Sequence, residues 1–377
     1  MKIAIATGTR ADWGLLQPPA RALRSMGADI LIMATHQHLM PAMGNTIQEI
    51  RDDGFEPAAI FPAKGTAPEI MAMAAAGASR ALTDLRPDAL LLLGDRCEML
   101  GIASAALLSG VPIIHIAGGT VSEGAFDDSV RHAITKMATL HFPETRLCAE
   151  RIIRMGEDPE RVRAVGAIGV ENSIKVKRMT RCQLAESLEG WDPGEKFLVV
   201  TLHAATLEEV SPLEVQENLL RALAKMPEDF RFILTYPNSD IDPQPLIESL
   251  RRFEKDMGDR VKVVPSLGRR RYLSAAALSS GIVGNSSSAL VETPSLGIGS
   301  LNIGQRQKGR ECGEAVIHCG VSEDEIGSGL KRLISPDFRQ LAAAAENPYA
   351  GHDTVNRIAT EILSFPFHPF PQKHFFS

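Results

Sequence analysis

Residues 88–117 read DALLLLGDRCEMLGIASAALLSGVPIIHIA, and this stretch decides the fold class. Two runs of consecutive apolar residues, DALLLLG at 88–94 and VPIIHIA at 111–117, flank a longer segment rich in Ala and Leu. A run that is apolar on consecutive positions is typical of a strand buried on both faces. A helical segment between two such strands predicts a parallel sheet covered by helices.

The same alternation extends along the rest of the chain. The apolar runs KIAIA, DILIMA and HFPE begin at residues 2, 29 and 141, and a helix-like stretch extends from Trp13 to Met26. After a polar segment around residues 182–196, further runs appear, each followed by a helical segment: FLVVTL, RFILTY, RVKVV, GIVGN and IGSLNI. We therefore predict two α/β domains, each a doubly wound parallel sheet of Rossmann-like type.

The domain limits follow from this pattern. We expect an N-terminal domain at 1–180, a C-terminal domain at 181–352, and a C-terminal helix with its tail at 353–377. The tail SFPFHPFPQKHFFS contains five Phe and three Pro, which are costly to leave in water, so it should pack against the protein.

Composition excludes several classes of function. The 377 residues carry 40 Lys and Arg against 46 Asp and Glu, and this net charge of -6 disfavours a nucleic-acid partner. The five cysteines never occur as C-x-x-C, so neither a disulfide framework nor a zinc site is indicated. No segment approaches the roughly 18 apolar residues that span a bilayer, and no signal peptide is evident. We predict a cytoplasmic protein without a membrane or metal partner.

Loops at the carboxyl ends of strands carry the candidate chemistry, because ligands of α/β domains bind there, and the natural position is a cleft between two such domains. The first loop contains Gly8 and Arg10 before a helix start, a combination suited to phosphate. It lacks G-x-G-x-x-G, so a nicotinamide cofactor is not supported. The alternative is an ordinary turn with an exposed arginine.

Asp95 follows the apolar run DALLLL directly. A carboxylate held at a sheet edge can orient a substrate or exchange protons. The alternative is that Asp95 caps the helix starting near Arg96, which contributes about 1 kcal/mol.

The stretch HIAGGTVSEGAFDDSVRH at 115–132 gathers three carboxylates: Glu123, Asp127 and Asp128. We expect a turn at the two glycines and a helix from Asp127 to Met137. Acids in a first helical turn are stabilised by the helix dipole, by about 0.3–1 kcal/mol, and this explains one aspartate. It does not explain the others near Asp95, since clustered like charges raise one another's pKa. Such a cluster is typical of acid–base catalysis.

Two further loops lie in the second domain. His203 follows the strand FLVVT and is a candidate for acid or base work, whereas His36 and His38 are expected at the surface. The motif GNSSSALVE at 284–292 places three serines at a helix start, which suits a diphosphate. Glu292, expected about two helical turns further on, can accept hydrogen bonds from ribose hydroxyls, and the basic loop around Arg306 can add charge.

These motifs resemble the hydrolysing UDP-N-acetylglucosamine 2-epimerases, in particular their bacterial sialic acid and legionaminic acid branch. The resemblance covers nearly the whole chain, from GTRADWGLL at 8–16 through LLGDR, EGAFDDSVRHAITKMATLHF and TLHAATLE to GNSSSALVETPSLGIGSLNIGQRQKGR at 284–310. It implies the GT-B fold, a UDP-binding C-terminal domain, a homodimer, no cofactor, and a C-terminal helix that folds back on the N-terminal domain.

The resemblance also implies a reaction and a set of site residues. Members release UDP from UDP-N-acetylglucosamine, or from a 2,4-diacetamido-trideoxy relative, and yield the free 2-epimeric sugar by elimination and hydration. Diphosphate-binding positions match Arg10, Ser286, Ser287 and Arg306, and the ribose-binding acid matches Glu292. Catalytic positions match Asp95, Asp127 and His203, with Asp128 and Arg131 beside them.

Two departures from the family pattern matter for the site. Many relatives carry an acid at the position of Ala117 or of Thr120, and Glu123 is the candidate to supply that carboxylate here. Relatives also commonly have proline where this chain has Ala204. The alternatives are a non-hydrolysing 2-epimerase, a GT-B glycosyltransferase using the same UDP site, and a nucleotide-sugar-binding regulator without catalysis.

Overall fold

A computed structural model describes residues 1–41, 44–122, 126–204, 210–237, 243–369 and 372–376. The chain divides into two compact units. Among the described residues, the first unit contains 1–121, 126–168 and 351–376, and the second contains Ser122 and Gly169–Ala350.

The first unit is built on a parallel six-stranded sheet. Its strands are β1 (Lys2–Thr7), β2 (Asp29–Thr35), β3 (Pro57–Phe61), β4 (Ala89–Leu93), β5 (Ile113–Ile116) and β6 (Leu140–Phe142), in the spatial order β3-β2-β1-β4-β5-β6. Its helices are α1 (Arg10–Ser25), α2 (Ile47–Asp52), α3 (Ala67–Leu85), α4 (Cys97–Leu108), α5 (Asp127–Met137) and α6 (Arg146–Arg154).

Consecutive apolar residues form the central strands, as the sequence predicts. Every residue of β5 is buried, and so are the first four residues of β4. Small residues let the covering helices approach closely: a Cβ on Gly101 in α4 would lie 2.2 Å from the Met71 carbonyl oxygen in α3. The alternation around residues 88–117 therefore encodes a strand–helix–strand unit of a helix-covered sheet.

The second unit repeats this architecture after two connecting helices, α7 (Ile168–Lys175) and α8 (Arg181–Ser187). Its strands are β7 (Phe197–Thr201), β8 (Arg231–Thr235), β9 (Val261–Val264), β10 (Gly281–Gly284), β11 (Ser300–Ile303) and β12 (Val316–Cys319), all parallel, in the order β12-β11-β10-β7-β8-β9. Its helices are α9 (Pro212–Ala224), α10 (Gln244–Met257), α11 (Gly268–Leu278), α12 (Ser288–Val291), α13 (Glu323–Leu333) and α14 (Pro336–Ala344).

The final helix, α15 (Thr354–Ser364), belongs to the first unit. Ile358 and Ile362 are fully buried in the same core cluster as Trp13 and Leu16 of α1. The tail after α15 continues along this unit, where the Phe376 amide donates to the Gly156 carbonyl at 3.0 Å.

Each sheet has the Rossmann strand order, and the predicted fold class is confirmed as two doubly wound units of the GT-B class. In both sheets the chain reverses its winding direction between the first and fourth strands, at β1/β4 and at β7/β10. Ligands of such sheets bind at the carboxyl ends of these strands. Within the described parts of the chain, none of the helices is long and apolar enough to cross a membrane.

Candidate active site

Asp95 lies at the switch point of the first sheet, two residues after β4. The N-cap residue of α4 is Arg96, so the interpretation of Asp95 as a helix cap is wrong. The Asp95 carboxylate instead accepts a hydrogen bond from Nη2 of Arg131, a residue of α5. The side chain of Asp95 is 27% exposed, so one face of this carboxylate remains open.

Arg131 binds two of the predicted carboxylates, Asp95 and Asp128. Its side chain is only 4% exposed, and Nη1 donates to the Thr120 carbonyl at 2.7 Å and to Asp128 Oδ1 at 3.2 Å. Asp95 and Asp128 are therefore brought to one guanidinium, which offsets the repulsion between the two carboxylates. His132 lies 3.4 Å from the other Asp128 oxygen, and burial lowers the pKa of this histidine despite the carboxylate.

Helix α5 begins at Asp127 and ends at Met137, as predicted. Its N-cap is Phe126, which has no polar side chain with which to cap, so Asp127 and Asp128 act on the helix only as first-turn acids. Asp127 is partly buried beside Asp128. The predicted catalytic residue Glu123 lies outside the described residues.

His115 supports the loop that carries Asp95 through a hydrogen bond, a role that the sequence did not predict. The ring is fully buried in β5, Nε2 donates to the Gly94 carbonyl at 2.8 Å, and Nδ1 lies 3.3 Å from the Thr135 hydroxyl. Burial lowers the pKa of His115 to about 3, so the ring stays neutral. A neutral ring fixes the peptide immediately before Asp95 without adding charge.

The loop after β1 forms a capping box at the start of α1. The Asp12 carboxylate accepts from the Gly8 and Thr9 amides at 3.2 and 3.0 Å, and burial raises its pKa to about 6. Arg10, at the first position of α1, is 67% exposed and lies 3.8 Å from Glu49. This ion pair is separate from the one that Arg131 forms with Asp95.

Other polar side chains are buried near this loop. Glu98 is fully buried and accepts from Arg96 Nε at 2.6 Å. His36 and His38 are buried, so their predicted place at the surface is wrong. The His38 ring lies between the Thr7 and Thr46 hydroxyls at 2.9 and 2.8 Å, and burial lowers its pKa to about 4.

Two positions that depart from the family pattern, Ala117 and Thr120, lie in the loop that follows β5. Ala117 follows β5 with φ of 63°, a left-handed conformation that disfavours alanine. Thr120 is 4% exposed, with its hydroxyl 3.6 Å from Cys148 Sγ and its carbonyl bound by Arg131. At this position the chain uses a backbone oxygen to hold the arginine.

The second unit contains a cavity of about 350 Å³ at its own switch point. The cavity brings together three predicted residues: His203, Ser286 and Glu292. Its other walls come from the ends of β7 and β8, from Ser266 in the loop before α11, and from Arg269 and Tyr272 in the first turns of α11.

Helix α12 is shorter than predicted. It covers only Ser288–Val291, with Ser287 as its N-cap, and a 3₁₀ turn at Thr293–Leu296 follows. Pro294 explains the break, since proline lacks the N–H that would continue an α-helix. Glu292 is thus one turn from Ser288 and accepts its hydroxyl at 2.6 Å, and burial raises the pKa of this carboxyl.

Asn285 fixes the backbone of His203, another contact that sequence reasoning missed. The His203 amide donates to Asn285 Oδ1 at 2.8 Å, and Asn285 Nδ2 donates to the His203 carbonyl at 2.9 Å. The Asn285 carbonyl accepts from Arg306 at 3.0 Å and from Gln307 at 2.9 Å. Arg306, predicted to bind diphosphate, therefore also supports the loop that carries Ser286.

Among the described residues, no group of three or more His, Cys, Asp or Glu side chains is arranged to hold a metal ion.

A family model described as UDP-N-acetylglucosamine 2-epimerase matches residues 21–363. The chain belongs to this family. It is similar to a hydrolysing UDP-N,N'-diacetylbacillosamine 2-epimerase from Legionella pneumophila, with 33% identity over a 375-residue alignment that covers 97% of each chain.

A second relative and a solved structure are also similar to this chain. A GDP/UDP-N,N'-diacetylbacillosamine 2-epimerase (hydrolysing) from Campylobacter jejuni is 31% identical, covering 90% of this chain and 89% of the relative. A crystal structure of the Neisseria meningitidis UDP-GlcNAc 2-epimerase bound to UDP-GlcNAc superposes with a TM-score of 0.79 at 18% identity, covering 97% and 100% of the two chains. At that identity the likeness establishes the shared fold.

Proposed function

We propose that the protein is a hydrolysing 2-epimerase that converts a UDP-activated 2-acetamido sugar into UDP and the free 2-epimeric sugar. The observation that carries the proposal is the pair of carboxylates, Asp95 and Asp128, held by the buried Arg131 at a strand switch point. Proton transfer at carbon needs side chains fixed in place, and this arrangement fixes two. Family membership supports the substrate class.

The second unit is proposed to bind the UDP moiety. Glu292 is partly buried, lines the cavity, and can accept hydrogen bonds from the two ribose hydroxyls in place of the Ser288 hydroxyl. Ser286 and Ser287 present hydroxyl and amide donors to the diphosphate, and Arg306 and Arg10 are proposed to add positive charge. In this proposal the second unit recognises the nucleotide, and the acids of the first unit act on the sugar.

The reaction is proposed to proceed by elimination and hydration. The C1–O bond breaks, UDP leaves with the bonding electrons, and a carboxylate of the Asp95, Asp127 and Asp128 group takes the C2 proton, which leaves a glycal. Water then supplies a hydroxyl to C1, and a proton returns to C2 on the opposite face. Donors that are preorganised around the departing diphosphate lower the barrier by several kcal/mol, and His203 is proposed to be one of them.

We infer a 2,4-diacetamido sugar, UDP-N,N'-diacetylbacillosamine, as the preferred substrate. Two relatives, 33% and 31% identical over 97% and 90% of this chain, carry that specificity in their names. UDP-N-acetylglucosamine is the competing substrate, and the product would feed a sialic-acid-type biosynthesis in the cytoplasm.

Proton NMR in deuterated water tests the proposal. Incubation with each of the two UDP-sugars should release UDP and a free 2-epimer that carries deuterium at C2, and turnover should be faster with the diacetamido substrate. Accumulation of an intact UDP-sugar epimer would instead indicate a non-hydrolysing enzyme. Absence of turnover on both, with UDP still bound, would indicate a regulator.

Two expectations of the family resemblance remain predictions. The enzyme is proposed to act as a homodimer, which light scattering coupled to size-exclusion chromatography would detect as twice the 40.8 kDa chain mass. No cofactor is proposed, so turnover should need only the UDP-sugar and water.

A further inference from the structure

A cysteine, a histidine and an asparagine form a hydrogen-bonded row at the far edge of the second sheet. Cys312 Sγ lies 3.1 Å from His318 Nε2, and His318 Nδ1 lies 3.1 Å from the Asn302 side-chain amide. Asn302 and His318 are register partners on β11 and β12, so their side chains project from the same face of the sheet. This row is separate from the UDP cavity.

The surroundings of the row form a second, larger cavity. His318 and Asn302 line a space of about 890 Å³ together with the basic side chains of Lys308, Arg310 and Arg332. Asn302 is only 1% exposed, yet the amide atom that faces away from His318, which is Oδ1 as the side chain is placed, has no hydrogen-bond partner among the described residues. A buried, unsatisfied amide is costly, so this one indicates a site with unfilled hydrogen-bonding capacity.

A thiol, an imidazole and an orienting amide are the parts of an assisted sulfur nucleophile. The oxygen and nitrogen of a side-chain amide occupy equivalent positions. Rotating the Asn302 amide by 180° turns its oxygen toward Nδ1, puts its nitrogen in the position without a partner, and gives up a 3.4 Å hydrogen bond to the Gly304 carbonyl. In this orientation Nδ1 carries a proton and the Nε2 lone pair faces the thiol. Burial and Glu311 raise the pKa of Cys312, and burial lowers that of His318, so the resting pair is a neutral thiol and a neutral imidazole.

We propose that Cys312 is a site of covalent thiol modification by low-molecular-weight disulfides, with His318 as its general base. As Sγ attacks the disulfide, His318 Nε2 accepts the thiol proton, an Sγ–S bond forms and the reagent's S–S bond breaks. The departing thiolate then takes the proton from His318 and leaves as a thiol. The reagent is the oxidant, and a mixed disulfide on Cys312 is the product.

The modification of Cys312 is expected to affect UDP binding through one loop, an inference that rests on the proposed function. Residues 304–312 connect β11 to Cys312 and carry Arg306, whose guanidinium holds the Asn285 carbonyl. Asn285 in turn holds the His203 backbone at both its amide and its carbonyl. A bulky group on Cys312 should displace this loop and weaken UDP binding.

The test uses the full-length protein and oxidised glutathione as the probe. After timed exposure and acid quenching, peptide mass spectrometry gives the modification rates of Cys312 and of Cys182, an exposed cysteine that serves as the internal reference. The His318→Gln variant should lower the Cys312 rate about tenfold or more relative to Cys182. The Asn302→Asp variant should raise it, because a carboxylate on Nδ1–H makes Nε2 a stronger base.

A Cys312 rate that stays within about twofold in His318→Gln, with the Cys182 rate unchanged, would overturn the assignment of the base. For the second step, UDP-dependent thermal stabilisation should shrink in glutathionylated protein and persist in equally treated Cys312→Ser. A full UDP response in the modified protein would overturn the coupling. Absence of that response in untreated protein would count against the proposed function instead.

Discussion

A buried glutamate that fastens the C-terminal tail yields a quantitative prediction. Glu157 is 2% exposed and accepts from Lys136 at 2.6 Å, Lys373 at 2.8 Å and His141 at 3.1 Å. Burial alone would raise the pKa of this carboxyl, but the three donors outweigh it and lower the pKa from 4.5 to about 2. A carboxyl shifted by this amount on folding contributes about 3 kcal/mol to stability at neutral pH.

The perturbation is Glu157→Gln, which keeps the size of the side chain and removes its charge. Because the folded-state pKa is depressed, the stabilisation is complete above pH 4.5 and is lost as the pH falls toward 2. The variant should therefore lose about 3 kcal/mol of unfolding free energy at pH 7, about 2 at pH 3.5 and about 1 at pH 3.

Urea unfolding followed by tryptophan fluorescence can measure this loss in the first unit, which contains Glu157. The chain has two tryptophans, and Trp13 is buried in the first unit with Glu157, whereas Trp191 lies in the second. A Trp191→Phe background isolates the first unit and permits a two-state analysis of it.

The matched control is Glu150→Gln, at a glutamate that is 60% exposed and 3.8 Å from Arg154. This control should change stability by less than about 0.5 kcal/mol. Either of two results would refute the reasoning: a Glu157→Gln loss below about 1 kcal/mol at pH 7, or a loss of equal size at pH 7 and pH 3.5. The second result would show that shape, and not charge, stabilises the tail.

Three further predictions concern the site. Asp95→Asn should reduce turnover at least about 100-fold in the NMR assay and keep UDP-dependent thermal stabilisation, whereas an unfolded variant would contradict the catalytic role. Burial raises the pKa of Glu292 and ribose hydroxyls favour its ionised form, so the calorimetric Kd for UDP should rise as pH falls, and Glu292→Gln should flatten this dependence. Gly284→Ala should cost about 3 kcal/mol or more in urea unfolding, since its Cβ would lie 1.9 Å from the Thr201 oxygen; a loss below about 1 kcal/mol would contradict this.

Most of the fold can be predicted from apolar periodicity because both sheets are parallel and covered on two faces. The strands that lie outside the predicted runs are the edge strands β3 and β12. In β3 buried and exposed residues alternate, which leaves no continuous apolar run to detect. The other two edge strands, β6 and β9, are mostly buried and lie in predicted runs, so the loss of signal follows exposure and not edge position alone.

The candidate site was predictable in position but not in its pairings. Strand-end loops identify Asp95, His203 and the serine motif, because topology alone brings such loops to one edge of a sheet. The contact between Asp95 and Arg131 spans 36 residues and depends on how α5 packs, which local sequence does not encode. The capping box at Thr9 and Asp12 has a recognisable T-x-x-D spacing, but burial, which raises the pKa of Asp12 to about 6, appears only in the folded chain.

The return of α15 to the first unit has a consequence for synthesis on the ribosome. All six strands of the second unit lie between residues 197 and 319, so its sheet can form before the last helix emerges. The first unit begins 195 residues earlier, at Lys2 of β1, yet its core lacks Ile358 and Ile362 until the chain is almost complete. The domain that is translated first therefore finishes folding last, and until then it exposes an apolar surface that chaperones can bind.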